Sequence, residues 1–186
     1  MDPATKRVVQ VRLATAEEFT PPKSGRVWVV SGVPSRPNLG WGERITSGCL
    51  QTTKNSDIFR VGELWTPTVA TATEKKDNPS MTVVLLDFSR SWDNFGALLW
   101  ALLPTHSVRL SVAAPGDAWD LAAHVPDLHR LVGQSWVCAV SLEPKTWVGK
   151  PHVCNVGFGD DGREARLDRF DFAWNHYYLP VFLCEE

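Results

Sequence analysis

Apolar and polar positions alternate partly over residues 8–13 (VVQVRL), and residues 26–31 (RVWVVS) are β-branched and aromatic, so both segments predict strands. The prolines and glycine of residues 21–25 supply the turn between them. Residues 34–42 (PSRPNLGWG) combine two prolines, two glycines and Asn38, a composition that resists regular structure and predicts a distinctive loop. Short strands are expected at residues 44–52 and 58–65. Residues 66–73 are rich in threonine and alanine, and residues 74–80 read as an exposed polar loop. The most apolar segment, residues 81–88 (MTVVLLDF), predicts a central strand.

Beyond it the period changes. Phe95, Leu98, Leu99 and Leu102 recur at helical spacing, with Ser91 or Asp93 as the cap and Pro104 as the stop. A strand over residues 107–113 leads to Pro115-Gly116-Asp117, where Asp117 caps a short helix that runs through residue 123 before Pro126 interrupts. Strands return at residues 135–142, 153–158, 164–172 and 177–184, and the GDDG of residues 159–162 predicts a hairpin. These elements predict one mainly β domain over residues 1–186, a barrel or sandwich with two short helical insertions. An α+β arrangement is the alternative. A βαβα reading of residues 81–142 is disfavoured by short helices and intruding prolines.

The composition narrows the function classes. With 186 residues, 44% hydrophobic and 22% charged, the chain has the size and balance of one globular domain. Its 19 basic and 21 acidic residues are mixed along the chain, and Lys75-Lys76 is flanked by Glu74 and Asp77, so no nucleic-acid footprint is present. The opening residues carry no apolar segment of signal-peptide length, and no long apolar run predicts membrane insertion. Cys49, Cys138, Cys154 and Cys184 form no C-x-x-C pair and are expected as buried thiols.

No motif names a chemistry. His152 and Cys154 are alternate residues of a strand and so share a face, but no spacing selects a third ligand among Cys138, His106 and His176. No G-x-S-x-G is present, and His124 and His129 lie five apart around Pro126. The adjacent Asp160 and Asp161 belong to a turn, and the glycine pairs Gly40/Gly42 and Gly157/Gly159 lack the context of a phosphate cradle. The expectation is a non-enzymatic recognition domain without metal or cofactor. The competing class is an enzyme assembled from distant residues, such as His152 with Cys154 or His176 with an acid. A third class is an intracellular adaptor or inhibitor that uses an apolar groove beside the helix of residues 95–102, and an exposed Leu/Trp face on that helix favours it.

Nine tryptophans stand against two tyrosines. Trp28, Trp65, Trp100 and Trp136 sit in apolar runs and are expected in the core, whereas Trp41, Trp92, Trp119 and Trp147 lie among polar and glycine residues. Loop-borne aromatics suit recognition, and the equal alternative is a tryptophan that pins its loop to the barrel; on the first reading residues 34–42 and 145–150 are the candidate contact regions, with Asn38, Trp41, Lys145 and Trp147 as the candidate ligand-binding residues.

The segments KRVVQVR (residues 6–12), SGRVWVV (24–30) and YYLPVFL (177–183), with the closing Cys184-Glu185-Glu186, resemble the projecting spike domain of astrovirus capsid proteins. The resemblance covers the ends of the chain and leaves residues 80–132 unaccounted for. It implies a dimeric β-barrel on the virion surface that binds a host cell-surface protein or glycan and is a target of antibodies. It carries over no receptor-contacting residue.

Overall fold

The computed structural model describes residues 8–48, 58, 80–102 and 108–185. Among them the elements run β1 (Gln10–Leu13), β2 (Arg26–Pro34), α1 (Trp41–Gly48), β3 (Ser80–Asp87), α2 (Asn94–Leu102), β4 (Arg109–Val112), α3 (Pro115–His124), α4 (Leu128–Leu131), β5 (Trp136–Ser141), β6 (Lys145–Trp147), β7 (Lys150–Gly159), β8 (Gly162–Arg169) and β9 (Tyr178–Glu185). The protein is mainly β. All nine strands of the described residues join one mixed sheet, ordered β1-β2-β3-β9-β5-β7, with β8 along the far edge of β7. Strand β9 pairs with β3 on one edge. Its other edge is shared end to end by β5, which is parallel to it, and by antiparallel β4.

The side-chain alternation of the strands divides the core in two. On the first face Trp28, Val30, Leu85, Ala139 and Val156 pack with Ile45 of α1, Trp119 and Leu121 of α3, and Leu128 of α4. On the second face Val29, Val84, Leu86 and Phe182 pack with Ala97 of α2 and with Trp92 and Trp174. The result is a helix–sheet–helix sandwich. No described strand joins β1 to the far end of the sheet, so the sheet is open and the barrel alternative is not formed.

Several local expectations are corrected. Residues 44–48 belong to helix α1 and not to a strand, because Trp41, Arg44, Ile45 and Gly48 fall on one helical face, of which Arg44, Ile45 and Gly48 are buried. Among the described residues α1 and the one-turn α4 join the two expected helices, neither having been anticipated. Helix α3 begins with Pro115 in its first turn, and Asp117 caps it from inside by accepting the Ala114 N–H at 2.9 Å. Asp93 caps α2, accepting the Gly96 N–H at 2.7 Å. Trp92 and Trp119, whose sequence neighbours are polar, are buried, and Trp119 is wholly so; Trp100 and Trp136, expected in the core, are half-buried. The expected strand at residues 58–65, the segment 66–73 and nearly all of the loop 74–80 lie outside the described residues, apart from buried Ile58 and from Ser80, which opens β3.

One buried carboxylate fastens the helices of the first face. Asp120 of α3 has no solvent exposure and binds Arg44 Nη2 of α1 at 2.6 Å, Arg36 Nε at 2.8 Å and the Arg36 backbone N–H at 2.8 Å. The Arg44 guanidinium fills the space beside Gly116, where a Cβ would lie 2.1 Å from Nη1. Removing one partner of a buried ion pair strands the other. Asp120→Ala is therefore expected to lower the unfolding free energy by about 3–5 kcal/mol, measured by urea denaturation. Arg36→Ala should cost less, because its head is partly solvated.

Candidate recognition surface

The connection between β2 and α1 is held tightly. Arg36 is fixed by Asp120 and donates from Nη1 to Ser47 Oγ at 2.7 Å, which leaves Asn38 exposed on a braced loop. Trp41 has a different place from the one its sequence context suggests. Its indole N–H donates to the Ile58 carbonyl at 2.9 Å, and its ring stands edge-on to Trp119 with centroids 6.0 Å apart. Trp41 thus anchors α1 to the core.

Lys145 and Trp147 lie on β6 in a tight hairpin with β7. The register sets Lys145 opposite His152 and Trp147 opposite Lys150. Trp147 packs edge-on to His152 at 5.1 Å and against the first-face core, while Lys145 Nζ lies 3.5 Å from Glu143. Val148 and Gly149 at the tip have φ of 49° and 69°, the type I′ geometry that matches strand twist. A β-branched residue is strained there, and Val148 is 77% exposed. The structure therefore brings Lys145 and Trp147 together with His152, and sets Asn38 and Trp41 in a separate element.

His152 and Cys154 share a face, as strand alternation requires, but their environments differ. Cys154 is completely buried, and burial first, then the charge of Glu143, pushes its thiol well above the ordinary range. His152 is half-buried, with Nδ1 2.9 Å from the Lys150 carbonyl oxygen. A thiol kept protonated in the core is a poor metal ligand or nucleophile. His106 lies outside the described residues, and His176 is exposed, edge-on to Tyr177.

Two surfaces lie outside the candidate contact regions of residues 34–42 and 145–150. The first is the outer side of α2, where Phe95, Leu99 and Leu102 are 76%, 49% and 79% exposed. The second is a layer of side chains over β5, β7, β8 and β9 on the same face of the sheet. There Trp136 lies against the β7 backbone, so close that a Cβ at Gly159 would sit 2.8 Å from its ring and one at Gly157 3.0 Å. The Arg166 guanidinium stands 5.7 Å from the Trp136 ring, and Tyr177 and Tyr178 meet the same ring edge-on at 4.9 and 6.1 Å. Buried Asn155 accepts the Cys138 thiol at 2.8 Å and donates to Asp168 at 2.7 Å, which links the layer's floor to its rim. The legible signal was the alternation itself: Glu164, Arg166 and Asp168 put charge on one side of β8, while Ala165 and Leu167 are buried on the other.

The electrostatics of the layer are coupled. Burial opposes the charge of Arg166, but Asp168, Cys138, Tyr178 and Glu164 outweigh it and hold the guanidinium above its ordinary value. The Tyr178 phenol is raised, first by burial and then by Cys138. Compared with known proteins, the chain matches no family model, no curated protein and no solved structure.

The Tyr178 shift has a measurable consequence. A phenol that ionises at higher pH when folded contributes stability that is fully present below the unfolded phenol's value of about 10 and is lost as pH rises through the folded one. Urea unfolding between about pH 8 and pH 11 should show a loss of stability above about pH 10 that Tyr178→Phe diminishes.

Proposed function

We propose that the chain is a non-enzymatic recognition domain that docks the apolar face of α2 into a groove on a protein partner. One observation carries the reading: Phe95, Leu99 and Leu102 stand exposed at i, i+4 and i+7, the spacing with which an amphipathic helix fills a hydrophobic groove. Helix α2 contains no charged residue, so nothing on its outer side suits it to bulk solvent. The helix is also preorganised. Its inner side is fixed by buried Ala97, by the Trp100 indole donating to the Thr20 carbonyl at 3.0 Å, and by the Trp174 indole donating to Asn94 at 2.9 Å.

A rigid helix loses little conformational freedom on binding, which favours affinity. The face selects a protein over a glycan, because sugars call for hydrogen-bonding groups beside the apolar surface and α2 offers none on its exposed side. The adaptor reading is favoured by an exposed Leu/Trp face on this helix; the exposed side chains are Phe95, Leu99 and Leu102, with Trp100 turned inward. The spike resemblance implied a barrel whereas the described sheet is open, and the proposal rests on α2 and leaves the partner's cellular location to experiment.

The test is the double variant Phe95→Glu with Leu102→Glu. Both side chains are exposed, so unfolding free energy should change by no more than about 0.5 kcal/mol. Affinity for the protein that the wild type retains, from cell lysate or from intact cell surfaces, should fall at least about a hundredfold. An unchanged affinity in the folded variant would exclude α2 as the contact.

A further inference from the structure

We infer that the aromatic layer over β5, β7, β8 and β9 is a binding site for saccharides. The inference is independent of α2. A pyranose ring presents an apolar C–H face and a rim of hydroxyls, each both donor and acceptor, so its protein complement is an aromatic surface bordered by mixed polar groups. The layer has both. Trp136 rests on the β7 backbone with the Arg166 guanidinium 5.7 Å over its ring, and the half-buried Tyr177 and Tyr178 at its edge are the rings that offer an aromatic surface to a sugar.

The border groups keep hydrogen-bonding capacity unspent. Within the described structure Arg166 makes no hydrogen bond, its nearest carboxylate being Asp168 with Oδ2 3.9 Å from Nε. Asp168 uses Oδ2 to accept from Asn155, which leaves Oδ1 for a ligand. Tyr178 keeps its phenol proton and can donate it. Glu164 is exposed next to Arg166 on the same side of β8.

Charge separates this ligand from its competitors. Arg166 is the one cation of the group, against the carboxylates of Asp168 and Glu164, so the border carries net negative charge. Phosphates and nucleic acids require the opposite balance. Neutral polyols use paired carboxylate and guanidinium groups directly, since each hydroxyl can meet either. The aromatic side chains are half-exposed and not enclosed, so the site is a shallow platform of modest affinity.

The experiment is a glycan array covering neutral and anionic oligosaccharides, followed by titration of the free hit monitored by tryptophan fluorescence. Trp136→Ala is avoided, since that ring fills the space over Gly157 and Gly159. Arg166→Gln and Tyr177→Ala are used instead, with circular dichroism confirming the fold. The expected result is a neutral glycan whose affinity falls at least about tenfold in each variant and is unchanged in the α2 double variant. A blank array, hits confined to sulfated or phosphorylated glycans, or a hit that both variants bind as well as the wild type would each overturn the inference.

Discussion

A carboxylate sealed from solvent is tolerable only when its charge is met, and Asp120 imposes that condition on much of the molecule. It takes one guanidinium from α1 and another from the loop that follows β2, so three segments distant in sequence have a single permitted arrangement. The requirement spreads to neighbours that carry no charge. Position 116 has no room for a side chain because Arg44 occupies the space, and Ser47 serves to orient Arg36. With α1 and α3 locked, Trp41, Ile45 and Trp119 close the first face of the sheet over its apolar strands.

The second face is organised by rings instead of charge. A succession of aromatic contacts runs from Phe88 through Trp92 and Trp174 to Tyr178 and Trp136, with neighbouring centroids 5.0 to 6.1 Å apart. This series connects the foot of α2 to the side-chain layer on the far half of the sheet. Both surfaces assigned a binding role thus stand on one continuous aromatic framework. Their chemistries differ: bare hydrocarbon on α2, and rings bordered by unsatisfied polar groups over β8.

Apolar and β-branched runs bounded by turn residues were enough to find β2, β3, β5, β7, β8 and β9, since each has one or both faces buried and its side chains record that burial. Helix α1 was hidden because its inward face includes Arg44, which any hydropathy pattern counts as outward. The partner that makes its burial possible lies 76 residues away. Trp92 and Trp119 were misplaced for a related reason: their flanking residues are polar, and burial comes from elements remote in the chain. Helix α2 shows the reverse. Its spacing is clear in the sequence, but apolar side chains occupy both sides, Leu98 and Trp100 packing inward with Ala97 while Phe95, Leu99 and Leu102 face outward, and periodicity cannot tell which apolar side meets the core. The side-chain layer was invisible as a site, because it needs four strands side by side.

The position of β9 in the sheet bears on how the protein is made. It is the strand that joins β1-β2-β3 to β5-β7-β8, yet it is the last of the nine in chain order. Until residues 178–185 pair, β1-β2-β3 and β5-β7-β8 have no strand in common, and each has an unpaired edge that is interior in the finished fold. The pairing that unites the sheet is thus strongly non-local, Val83 meeting Leu183, and contacts of that kind form slowly. Before it forms, the two edges are open to pairing with a wrong neighbour.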